Sequence, residues 1–214
     1  MLRSLNRLRS YKIEVIGNRV HKVGRVENLL FDEKSWSVAA LAVRPSGIFG
    51  HFRSKYESVF GVAQTAGIND DTRSITIRPV LNLLNATSLQ SAKALIKSRV
   101  RTNLGHFGEI EDVFIDDVAW RIRYIMIDTV KYWPSRKVLL STEWTTAVNW
   151  NDKSVLTNVS EDKIKSSPDF DPSKPINREY EELIFAHYAQ PVYWTDKEIS
   201  EIKEGAKYPW RKSI

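Results

Sequence analysis

Four acidic residues stand in two matched pairs, Glu27 with Glu111 and Asp32 with Asp116, each pair 84 positions apart. Paired carboxylates are what general acid–base catalysis needs, and His21, His51, His106 and His187 are the residues that would complete such a centre or ligate a metal. For that chemistry the acids must converge from equivalent strands. The simpler reading of the types is structural: an aspartate at a hairpin turn bonds its own backbone, and a glutamate pairs with an arginine such as Arg123. The chain has no cysteine, which removes thiolate nucleophiles, zinc–thiolate sites and disulfides. It has no G-x-S-x-G elbow, and its histidines show neither H-E-x-x-H nor i, i+4 spacing. The glycines of GIFG at 47–50 lack the strand–loop–helix setting and the Lys-Ser/Thr pair of a phosphate cradle. The sequence therefore predicts no catalytic residues, no metal and no cofactor. The competing expectation, a hydrolase or metal-dependent enzyme, requires Glu27, Glu111, His21 or His106 to meet in one pocket.

The acids belong to a larger repeat. Residues 24–43 align with 108–127 without a gap, with Gly24/Gly108, Glu27/Glu111, Asp32/Asp116 and Trp36/Trp120 identical. So long a period indicates two tandem units rather than a solenoid. Each copy reads as a hairpin. In the second, an apolar strand runs to Ile115, Asp116 and Asp117 turn, and Trp120, Ile122, Tyr124 and Met126 then share one face while Arg121 and Arg123 take the other. Further short strands follow at 136–141 and 155–159, with turn residues at 149–152, and the first copy echoes them in YESVFGVA and SITIRP. Trp36 and Trp120 read as core. Many short strands with little helix predict a mainly β protein of two tandem small barrels, a first unit at 1–88 and a second at 89–166. The arginine-rich start has a superficial likeness to a transit peptide, but SAKALIKSRV at 91–100 leads into the second unit as RSLNRLRSYKI leads into the first.

Residues 167–214 form a tail. Ser160 is placed to cap a helical turn just before it, and Pro168, Pro172 and Pro175 impose an extended segment. Asn177 then caps a helix in which Tyr180, Leu183, Ile184, His187 and Tyr188 make one apolar stripe, expected to lie across the two barrels. Thr195 and Glu198 form a capping box in the last twenty residues.

The charge is uneven. Residues 1–90 hold 13 Lys/Arg against 7 Asp/Glu and the remainder 19 against 19, so the whole excess lies in the first unit. A basic surface of Arg3, Arg7, Arg9, Lys12, Arg19, Lys22 and Arg25, with the Gly/Phe loop residues His51, Phe52, Arg53, Lys55 and Tyr56, is the candidate docking face for an acidic partner. A protein partner, a second copy in a homodimer, RNA or a ribosome, and an anionic membrane surface all remain open. No stretch approaches the ~20 apolar residues of a membrane-spanning helix, so a soluble, cytoplasmic protein is expected.

The sequence resembles the PRC-barrel family, named for the cytoplasmic barrel of the photosynthetic reaction-centre H subunit. The resemblance rests on the G-x-I/V-E-D/N hairpin with its aspartate turn and tryptophan, on RKVLLS at 136–141, and on a tail of Ser167, Pro168, Phe170, Asp171, Pro175, Arg178, Glu179, Glu182 and HYAQPVYW at 187–194, ending in Tyr193 and Trp194. It is specific across 108–194; the first copy matches only in its hairpin. The resemblance implies PRC-type barrels of about six strands with a role in binding, assembly or scaffolding. Such barrels sit against membrane-embedded subunits in the reaction centre and pair in a ribosome-maturation factor that binds a ribosomal protein. The H subunit's anchor and the maturation factor's own motifs are not recognisable here, so neither role carries over.

Overall fold

The computed structural model describes residues 1–17, 19–46, 58–78, 88–129 and 136–194. The first unit contains β1 (Leu2–Ser4), α1 (Leu5–Leu8), β2 (Lys12–Ile16), β3 (Val20–Phe31), β4 (Val38–Pro45), β5 (Ser58–Gly61), β6 (Thr65–Asn69) and β7 (Ser74–Ile77). The second repeats the series as β8 (Gln90–Ser91), α2 (Ala92–Leu95), β9 (Arg99–Thr102), β10 (Gly105–Asp116), β11 (Arg121–Asp128), β12 (Lys137–Ser141), β13 (Thr145–Asn149) and β14 (Ser154–Thr157). Two helices follow, α3 (Glu161–Lys165) and α4 (Arg178–Tyr188). The chain is mainly β, two small curled β-barrel units with a helical tail. No described helix is long and apolar enough to cross a membrane.

The two sheets have the same order, β5-β4-β3-β2-β7-β6 and β12-β11-β10-β9-β14-β13. What joins them is an exchange. The lead strand β1 pairs not with its own unit but with β10, Leu2 opposite Asp116 and Ser4 opposite Phe114. Reciprocally, β8 pairs with β3, Leu30 opposite Ser91. Each long strand thus serves two neighbours on one side, which requires it to bend. The bend is a β-bulge: the register slips between Val26 and Asn28 in β3 and between Ile110 and Asp112 in β10. The residues left over at the two bulges are Glu27 and Glu111. The hairpin tips also meet, with Val38 N–H donating to the Trp120 carbonyl at 2.6 Å and Ile122 N–H to the Trp36 carbonyl at 2.9 Å.

Each repeated residue has a backbone reason. A side chain on Gly24 would strike Val43 Cγ1 and the Arg44 carbonyl, and one on Gly108 would lie 2.7 Å from Ile127 Cγ2 and 2.8 Å from the Asp128 carbonyl. Asp32 accepts from Ser35 N–H and hydroxyl at 2.9 and 2.7 Å, and Asp116 from Val118 and Ala119 N–H at 2.9 and 3.2 Å. These bonds to Ser35 hold the Asp32 carboxyl below the usual range. Trp36 and Trp120 close the turns in the left-handed region, φ 57° and 49°, with both rings buried and Trp36 stacked on Phe31.

The tail rests on the second unit. Asn177 caps α4 by accepting from Tyr180 N–H, and Trp144 packs against Phe185 and Tyr188 at 5.1 and 4.6 Å. The helix seats on this unit rather than across the pair. Its buried stripe is also turned from the expected one: Glu181, Ile184, Phe185 and Tyr188 face inward, while Leu183 is 52% exposed. The reason is Glu181, whose carboxylate accepts from the Tyr124 and Tyr193 hydroxyls at 2.8 and 2.6 Å and meets Arg178 at 3.2 Å. Those partners let an acid take a core position that sequence periodicity reserves for apolar residues. The neighbouring signature residue Glu182 is exposed.

Candidate binding face

The repeated acids do not converge on a catalytic centre. Glu27 is buried at its bulge beneath three cations, Arg44 at 2.5 Å, Arg9 at 3.6 Å and Lys93. Burial pushes its carboxyl up, and Lys93, Arg44 and Arg9 more than offset that, leaving it below the usual range. Glu111 pairs with Lys137, which also reaches Asp128 at 3.5 Å. The expected partner Arg123 turns instead to Glu143 at 3.3 Å and Asp116 at 3.7 Å. It is buried because the Tyr193 ring lies over it, 3.9 Å from its guanidinium carbon. His21 is exposed near the β2–β3 turn, and His106 Nδ1 lies 3.4 Å from the Val100 carbonyl. Among the described residues, no group of three or more His, Asp or Glu is placed to hold a metal.

The basic surface divides into two kinds. Arg3 is an internal clamp, its guanidinium bound to Asp70 and to Asp117 at 2.6 Å. Arg7 meets Asp70 at 3.3 Å, and Arg9 meets Glu27. These three are engaged within the fold. Lys12, Arg19, Lys22 and Arg25 have no ion-pair partner among the described residues, and Arg19, Lys22 and Arg25 are exposed. His51, Phe52, Arg53, Lys55 and Tyr56, and likewise the capping box at Thr195 and Glu198, lie outside the described residues.

The strand register shows an arrangement that residue counting missed. Arg25 on β3 lies directly opposite Lys12 on β2 and directly opposite Arg44 on β4. Directly opposed residues share a face of the sheet. Ile13, Val26 and Val43 point into the core, so Lys12, Arg25 and Arg44 form one outward row of three cations across adjacent strands. Like charges in this position destabilise a sheet. Lys22 differs, since its opposite residue is Glu14.

The second unit has a row of mixed charge at the same place. There Arg99 faces Glu109, Glu109 faces Asp128, and Asp128 faces Lys137. Two cations flank two carboxylates, Glu109 and Asp128 facing each other, where the described residues of the first unit's row, on three strands, are all cations. One sequence signal pointed this way: Arg25 aligns with Glu109, one position after the matched glycines. That Lys12 and Arg44 flank Arg25 is a matter of register and is not written in any local pattern.

One other concavity bears mention, a cavity of about 340 Å³ beside the start of α4, lined by Asp169, Phe170, Asp171 and Tyr180. Its acids are occupied, Asp169 by Arg136 and Asp171 by Ser173 and Lys174. Comparison with protein-family models finds no match for the chain, and comparison with curated proteins finds none either.

Proposed function

We propose that this protein is a non-enzymatic binding and assembly module of the PRC-barrel type, which docks an acidic protein partner on the outer face of its first unit. The observation that carries the reading is the row Lys12–Arg25–Arg44, in which Lys12 and Arg25 have no ion-pair partner among the described residues and Arg44 shares Glu27 with Arg9 and Lys93, set against the row of mixed charge at the same place in the second unit. A fold that pays for a cation on each side of Arg25 has a use for the positive field they create. The repeated acids support the same reading, because they are occupied in shaping bulges and turns.

The scaffold matches the role. Exchanged lead strands and paired hairpin tips bind the units together, so the basic face is presented on a rigid support. Charge of this kind steers encounter over about a Debye length, ~8 Å at physiological salt, and its contribution falls as salt rises. The test is affinity capture from the source cells with wild type and with a Lys12→Glu, Arg25→Glu double variant, at low and high salt. The reading expects a partner whose capture weakens with salt and is lost in the variant. Equal capture by the variant at low salt, or binding mapped to 108–194, overturns it.

A further inference from the structure

We infer that the occupant of this face is an acidic α-helix of the partner protein, lying across β2, β3 and β4 with carboxylates at i, i+3 or i+4, and i+7. The inference rests on the docking face proposed above and adds the shape of what binds there. It follows from the pitch of the row. Neighbouring strands are about 4.8 Å apart, so the Cα atoms of Lys12 and Arg44 are separated by two such steps, about 10 Å, with Arg25 midway. A helix rises 1.5 Å per residue and returns to one face every three to four residues, so i to i+7 spans about 10.5 Å with a third residue midway. Three carboxylates on a helix therefore match three cations on three strands. An extended segment repeats its face only every ~6.8 Å, so its third carboxylate would overshoot the row by roughly 3 to 4 Å.

Charge and surface chemistry favour the same occupant. Arg44 already shares Glu27 with Arg9 and Lys93, one carboxylate among three cations, so positive charge is left over at that end of the row as well. Arg25, at the centre, has a cation on each side and no acid of its own, and gains most from an incoming carboxylate. Single-stranded nucleic acid is gripped by aromatic stacking platforms in addition to charge. The exposed large apolar residues described on the first unit are Met1, Val20 and Val59, and none is aromatic.

The experiment uses the full chain, isotopically labelled and observed by NMR at low ionic strength, with three probes. One is an alanine-rich helical peptide carrying glutamates at i, i+4 and i+7; the second has the same composition with a central proline that breaks the helix; the third is a 20-nucleotide single-stranded RNA. The expected result is shifts centred on the amides of Lys12, Arg25 and Arg44, with the helical peptide binding at least tenfold tighter than the proline peptide and Arg25→Glu abolishing the effect. Equal binding of the two peptides, absence of shifts, or tighter binding of the RNA overturns the inference. Should the charge-reversed double variant lose its cellular partner while the helical peptide fails, the helix reading falls and the docking face stands. Should the variant keep its partner, the docking face itself falls.

Discussion

At the outer face of the first unit Arg25 stands between two cations, whereas in the second unit Glu109, on the same strand of the same fold, stands between Arg99 and Asp128. The two joints between the units differ in the same way. On one side Glu33 at the first hairpin tip accepts directly from Trp150 Nε1 at 2.6 Å. On the other, Asp117 at the second tip reaches Asp70 only through Arg3, with the Tyr11 hydroxyl also donating to Asp70. Under the lead helices, Asn28 accepts from Lys93 N–H at 2.9 Å, and its counterpart Asp112 accepts from Asn6 N–H at 3.2 Å. Glycine, bulge glutamate, turn aspartate and tryptophan are shared because the backbone path depends on them. Charge is free to differ wherever the path does not depend on it, and there the two copies differ.

The sharpest way to break this comparison is at the shared core. If the tryptophans do equal jobs, Trp36→Ala and Trp120→Ala should each cost roughly 3 to 5 kcal/mol in urea unfolding. A variant that unfolds like wild type shows that its tryptophan is not core and that the units are not equivalent.

The joints should be unequal. Removing Arg3 leaves Asp117 and Asp70 facing each other, so Arg3→Met should cost about 3 kcal/mol. Glu33→Gln keeps an acceptor for Trp150 and should cost about 1 kcal/mol. The Asp70 carboxyl is held low, first by Arg3 and then by Tyr11. Its contribution is therefore present above the unfolded carboxylate value of ~3.9 and is lost as pH falls through the lower folded value. Chemical melts of both variants between pH 2 and 7 check the order and the acid limb; equal costs would erase the distinction.

Asp112 runs the other way. Burial pushes its carboxyl up against the bonds from Val113 and Asn6 N–H, so its stabilising contribution is full below the unfolded value and is lost as pH rises through the folded one. Asp112→Asn copies the residue already used at Asn28. It should stabilise the protein at neutral pH by roughly 1 to 2 kcal/mol, a gain that vanishes toward acid pH. A loss at pH 7 would show that the ionised acid is needed at this joint.

The smallest effect belongs to the outer rows. Arg25→Glu sets a carboxylate between two cations in the first unit and should stabilise the free protein by roughly 0.2 to 1 kcal/mol, while Glu109→Arg exchanges a carboxylate facing Asp128 for a cation facing Arg99 and should change stability by less than that. Thermal melts at low salt resolve the sign. If Arg25→Glu destabilises, the cationic row is not a strained feature of the unbound fold.

The amino-acid sequence by itself determined what consecutive residues can encode: the 84-residue repeat, the hairpins with their aspartate turns, the buried tryptophans, and the helix beginning after Asn177. These follow from periodicity, capping and turn chemistry, all of which act over a few positions. Only the tertiary structure decided that β1 joins β10 and β8 joins β3, because strands this short carry no local sign of their partner. It alone moved Arg3 from the basic surface into a clamp, put Glu181 rather than Leu183 against the second unit, and lined Arg25 up with Lys12 and Arg44. Each of these depends on which distant segments become neighbours, and that is settled by the packing of the whole chain rather than by any stretch of it.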